Sequence, residues 1–173
     1  MENIIYFNKD LKAVDDKVKT RLGIRGKRAV ELAAMGVPIV PGFIIDSELT
    51  QKLPQINLKE ILKTHISHIE KDMGKKFGDP KKPLMLKVVL SSDLNVPNFP
   101  SIHNIGMNDE TVNGFGQYTG EDFAYGEYVF LLRSIGNTLY QLSEEDKAKL
   151  GKSSKKGVEC MKEIISNYKK FYA

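Results

Sequence analysis

The segment Gly23-Ile-Arg-Gly26, followed by Lys27-Arg28, gathers two glycines and three cationic side chains just ahead of a stretch that reads as a helix. Backbone N–H groups at a helix N-terminus would point into the same space as those cations, which makes this an anion site in principle. The same G-x-x-G spacing also makes an ordinary turn before a helix. Neither G-x-x-x-x-G-K-[ST] nor G-x-G-x-x-G occurs in the chain, so a Walker loop and a dinucleotide fingerprint are excluded.

Other residues with chemical capacity are scattered. His65 and His68 stand three apart, a legitimate metal-ligand spacing, but no third ligand accompanies them, and a packed histidine beside an exposed one is the favoured reading. His103 is isolated in a loop and supports no serine or cysteine nucleophile that the sequence places. The single cysteine, Cys160, excludes an intramolecular disulfide and a thiolate cluster for zinc, and its lysine-rich surroundings carry no reactive-thiol motif. Of the paired carboxylates Asp15-Asp16, Asp109-Glu110, Glu121-Asp122 and Glu144-Glu145-Asp146, three sit at expected helix starts, where the helix dipole accounts for them. No catalytic residue and no metal site emerges from the residues alone.

The elements that must position these groups follow from periodicity. Ile4 to Phe7 reads as a short strand, Lys27 to Met35 as a helix stopped by Gly36, and Val37 to Ile45 as an extended segment whose prolines suit a sheet edge. Leu58, Ile61, Leu62, His65, Ile66, Ile69 and Met73 recur at three and four residues, one face of a helix that Gly74 ends. Leu84 to Leu90 reads as a largely buried strand, and residues 91 to 101, with Pro97 and Pro100, as an irregular loop. Asn108 is placed to cap a short helix ending near Gly120, and two longer helices are expected over about 121 to 142 and from about Ser154 onward. Three strands with several helices imply an α+β fold with a small mixed sheet, read here as one domain over 1–173.

Composition agrees with a globular chain: 173 residues, 41% hydrophobic and 28% charged. The net charge of +4 is unevenly spread. From Lys147 to Ala173 eight lysines face two glutamates, a balance of +6, which leaves the first 146 residues at −2. With only four arginines and no basic surface interleaved with aromatics, nucleic acid is not an expected partner. The sequence shows no secretory leader and no apolar run long enough for a membrane span, so a cytoplasmic protein without membrane contact is expected.

Three stretches read together carry a resemblance. They are Leu22-Gly-Ile-Arg-Gly26 continuing to Gly36-Val-Pro-Ile-Val-Pro-Gly-Phe43; Gly74-Lys-Lys-Phe-Gly-Asp79 with Pro83-Leu84; and Asn104-Ile-Gly-Met-Asn-Asp109 with Phe123-Ala-Tyr125. In this order they resemble the N-terminal nucleotide-binding region of the pyruvate phosphate dikinase and phosphoenolpyruvate synthase family, over residues 6 to 172. The resemblance implies the first lobe of an ATP-grasp-type site, with ATP and Mg as family cofactors. It also implies that Gly23, Arg25, Gly26 and Lys27 are candidate phosphate contacts. Arg25 stands where the family carries a phosphate-binding lysine, and Val89 where it carries a phosphate-binding arginine. Val129 and Phe130 match a pair of arginines. An apolar side chain cannot stabilise charge on a transferring phosphoryl group, so a degenerate site is expected. Length adds to that expectation: the second ATP lobe would begin about where this chain stops, and the carrier-histidine and pyruvate domains would lie beyond it.

Two functions therefore stand side by side. One is a dikinase-like domain that binds nucleotide or phosphate at Gly23 to Lys27, kinase-type in ancestry but not autonomous. The other is a non-catalytic interaction or regulatory module, meeting a protein partner or a second copy of itself through Val89, Phe99, Val129 and Phe130.

Overall fold

A computed structural model describes residues 3–93 and 100–173. Its elements are β1 (Ile4–Phe7), α1 (Asp16–Lys19), α2 (Gly23–Ala34), β2 (Gly42–Ile45), α3 (Ser47–Thr50), α4 (Leu58–Met73), β3 (Leu86–Val89), β4 (Ser101–Ile105), α5 (Thr111–Thr119), α6 (Glu121–Ile135), α7 (Glu144–Leu150) and α8 (Gly157–Tyr172). The α+β class is as the sequence indicates. In place of one mixed sheet, the described strands form two antiparallel pairs, β1 with β2 and β3 with β4. The chain divides into two compact units: residues 1–74 with 90–99, and residues 75–89 with 100–173.

In the first unit, β1 and β2 pair from Ile4 opposite Ile45 to Phe7 opposite Gly42. Pro38 and Pro41 precede β2, where their missing donors cost no ladder bond. Asp46, fully buried, organises the segment that follows. Its carboxylate accepts from Leu49 N (2.9 Å) and Asn3 Nδ2 (3.1 Å) and pairs with Arg21 Nε at 3.2 Å. Helix α4 spans the residues its periodicity predicts; Asn57 caps it and Gly74, with φ of 61°, ends it. Asp72 ties α4 to β1 by accepting from the Tyr6 hydroxyl (2.9 Å) and Asn8 Nδ2 (2.8 Å), and these bonds hold its carboxyl below the usual range.

The second unit packs α6 against α5, α8 and β4. Val112, Ala124, Leu131, Leu132, Ile164, Ile165 and Tyr168 form its core, and Tyr168 is 1% exposed. Three sequence expectations are corrected here. Leu84 is buried, but the strand proper starts at Leu86, and Val88 and Val89, which point to opposite faces, are both exposed. Residues 101 to 105, expected as the end of a loop, are a fourth strand, β4. The long helix stops at Ile135 and passes into a π-helical turn, Gly136–Tyr140, and α7 is a separate helix after it. A Cβ at Gly136 would lie 2.6 Å from Leu142 Cδ1 and 2.7 Å from the Tyr172 hydroxyl, so a larger residue there would have to displace the ends of these two side chains.

Candidate functional site

Helix α2 begins at Gly23, a turn earlier than its apolar pattern indicates, and the cause is remote in sequence. Leu22 at the N-cap supplies no side-chain acceptor. The cap comes instead from Ser91, whose Oγ accepts from Gly26 N (2.8 Å) and donates to Leu22 O (2.6 Å), while Ser92 O accepts from Ile24 N (3.0 Å). Two donors of the first turn are thereby satisfied from residues nearly seventy positions along the chain.

The glycines of the motif serve this closure. Gly23 has φ of 64°, and a Cβ there would lie 2.4 Å from Ser91 O. Gly26 is buried, and its Cβ would meet Leu22 Cβ at 3.1 Å and Ile44 Cδ1 at 3.3 Å, so its small size lets α2 settle on β2. The space beside Gly23 is filled by the chain's own Ser91, and the first turn as it stands does not fit a backbone phosphate cradle. What it presents outward is cationic: Arg25, Lys27 and Arg28 are exposed, and Lys27 Nζ lies 3.9 Å from Glu31, a long i,i+4 pair.

Gly23, Arg25, Gly26 and Lys27 thus share one helix start in the first unit. Val89 belongs to the second unit, where it pairs with Ser101 at the end of β3 and is 38% exposed. Val129, expected at a contact surface, is buried in the core of the second unit because it lies on the inward face of α6. Phe130, its neighbour, turns outward and packs on the His103 ring at 4.8 Å. Phe99 lies outside the described residues.

Two histidine settings became visible only in three dimensions. His65 sits between the rings of Phe43 (5.1 Å) and His68 (5.7 Å) beside a 290 Å³ recess lined by Ile4, Asn57, Glu60, Ile61 and Thr64. Its Nδ1 is buried with no hydrogen-bond partner among the described residues, and burial, then the neighbouring His68, lowers its pKa below the ordinary imidazole value. Among the described residues no three His, Cys, Asp or Glu side chains are grouped to hold a metal. On β4, Ser101 Oγ lies 2.9 Å from His103 Nε2, a pairing hidden while this segment read as loop, since two residues apart share a face only on a strand. Burial foremost, then Lys87, lowers the His103 pKa, with Glu127 opposing.

Among the described residues no helix is long and apolar enough to cross a membrane. No family model matches the chain. Curated relatives do. The pyruvate, phosphate dikinase of Treponema pallidum (strain Nichols) is 35% identical over 161 residues, covering 92% of this chain and 18% of that protein. The chloroplastic pyruvate, phosphate dikinase of Mesembryanthemum crystallinum is 30% identical over 189 residues, covering 99% of this chain and 20% of its own length. The chloroplastic pyruvate, phosphate dikinase 1 of Arabidopsis thaliana is 30% identical, with the same coverage of 99% and 20%. The chain spans about a fifth of the length of these relatives. Similarity that runs along nearly every residue places this chain in the pyruvate, phosphate dikinase family, over a stretch equivalent to that fifth.

Proposed function

We propose that this chain is a dikinase-type nucleotide-binding element that meets the phosphates of Mg-ATP with the side chains of Arg25 and Lys27, and that it does not transfer a phosphoryl group by itself. The observation that supports this reading is the α2 start, where glycines forced by close packing set exposed cations on the first helical turn. Arg25 offers a planar, delocalised charge that grips phosphate oxygens in pairs, and Lys27 adds a compact one. Magnesium bound with the nucleotide would supply further charge neutralisation. Val89, in the position of a phosphate-binding arginine by resemblance, offers no charge to a developing transition state, which supports binding without autonomous catalysis.

A second reading, a protein-interaction or regulatory module that has lost the nucleotide, is favoured by one specific observation. Ile24 N and Gly26 N, which a bound phosphate would use, already hold Ser92 O and Ser91 Oγ. Calorimetric titration with Mg-ATP, ADP and inorganic phosphate separates the two. The nucleotide reading expects saturable heat for Mg-ATP with a Kd on the order of 1 mM, equivalent to about −4 kcal/mol, and its loss in the double variant Arg25→Ala/Lys27→Ala. No heat and no thermal stabilisation at several millimolar would leave the interaction reading.

A further inference from the structure

One surface of the second unit carries opposite charges at its two ends and exposed aromatic rings between them. We propose that this surface is self-complementary and that two copies of the chain associate through it about a two-fold axis, the basic end of each facing the acidic end of the other.

The basic end is the turn from Lys75 to Lys82, four lysines against one aspartate. Asp79 is engaged with the backbone, accepting from Lys81 N (2.6 Å) and Lys82 N (3.0 Å), and none of the four ammonium groups is in an ion pair among the described residues. The backbone of the turn is fixed. Lys76 N donates to Lys82 O (3.2 Å) and Leu84 N to Lys76 O (2.9 Å). The turn also lies hard against α5, where a Cβ at Gly114 would strike Pro80 O and stand 3.1 Å from Lys81 Cα. A turn held in this way has little further backbone freedom to lose when a partner docks.

The middle of the surface is aromatic. Tyr118 lies one turn of α5 beyond Gly114, and Lys75 Nζ stands 5.6 Å over its ring. Tyr118 is 51% exposed and Phe123, in the first turn of α6, is 54% exposed. Phe115 joins them, 5.4 Å from Tyr118 and 6.1 Å from Phe123. Two large exposed rings linked by a third form a strip of the composition that interface cores favour.

The acidic end is Glu121 and Asp122, which directly precede Phe123, are exposed, and are in no ion pair among the described residues. Lys162, the ammonium group that feels Glu121, is itself paired with Glu159 at 2.9 Å. This polarity selects the occupant. A uniformly anionic partner, such as nucleic acid or an anionic bilayer, would be attracted by the lysines and repelled by Glu121 and Asp122. A second copy related by a two-fold axis finds attraction at both ends and packs its own rings on the strip between. No residue of α2 takes part, so the association is tested apart from nucleotide binding.

The test is sedimentation equilibrium of the full chain at low ionic strength, where a reversible monomer–dimer equilibrium is expected that weakens as salt is added. Phe123→Ser should weaken it about tenfold. Lys81→Glu/Lys82→Glu and Glu121→Lys/Asp122→Lys should each do the same, because a two-fold axis counts every reversed charge twice. All these positions are exposed, and unchanged circular dichroism checks that the variants fold. Mixing the two charge variants in equal amounts should restore a dimer, since both contacts then join opposite charges. A chain that stays monomeric up to about 1 mM, a dimer indifferent to Phe123→Ser, or charge variants that stay monomeric when mixed would each overturn the proposal. An oligonucleotide bound by such a monomer would assign the lysine turn to nucleic acid instead.

Discussion

The start of α2 and the groove along α8 both gather positive charge, and they do so in opposite ways. At α2 the backbone is the tightly fitted part: Ser91 and Ser92 occupy its donors, Gly23 has no room for a side chain, and only the cationic side chains reach outward. Along α8 the backbone is an ordinary helix, and the lysines themselves line an open groove. A sequence motif is therefore a poor guide to where a ligand has room. The glycine-rich segment that reads as an anion cradle uses its glycines for packing, while a lysine-rich helix with no motif at all lines a groove.

The most disruptive change to this contrast is Gly23→Ala. The left-handed φ and a Cβ 2.4 Å from Ser91 O together should cost about 3 kcal/mol, read as faster amide exchange across α2. An unchanged exchange rate would mean that the closure by Ser91 is dispensable. Ser91→Ala removes one hydroxyl that both accepts from Gly26 N and donates to Leu22 O, and about 1.5 kcal/mol is expected from the same measurement.

Acid should act on the first unit through His65. Its folded pKa lies below the unfolded value near 6.5, so the unfolded chain binds the proton first, and stability is full above that pH and is lost as pH falls below it. His65→Phe should flatten the urea midpoint between pH 7.5 and 5.5; a slope equal to the parent's would assign the effect to other groups, His103 among them. The smallest effect belongs to the groove. Lys170→Ala should move stability by less than about 0.5 kcal/mol, because an exposed lysine with no ion pair among the described residues contributes little to the fold. A larger loss in thermal denaturation would give Lys170 a structural role.

How much of this was legible in the sequence depended on the range of the interactions involved. Helix α4 could be read directly, since seven apolar or aromatic positions repeat on one face and Gly74 stops it in the left-handed conformation. Helix α2 could not be bounded, because the residue that caps it lies 65 positions beyond Gly26. Strand β4 was concealed by Ser101, His103 and Asn104, polar residues after two prolines, and its existence follows from pairing with β3. The end of α6 at Gly136 is set by Leu142 and Tyr172, which close on it from later in the chain. As for the site, the positions of Arg25 and Lys27 at a helix start were legible, the loss of the backbone cradle to Ser91 and Ser92 was not, and the groove along α8 exists only once α5, α6 and α8 are packed.

The nucleotide reading is tested most directly by following backbone amides while Mg-ATP is added to the full chain. Saturable shifts are expected at Arg25 through Arg28, with an affinity near the millimolar range that disappears in Arg25→Ala/Lys27→Ala. An α2 start that stays unshifted at about 10 mM nucleotide, some tenfold above that affinity, or shifts that persist in that variant, would contradict nucleotide binding there.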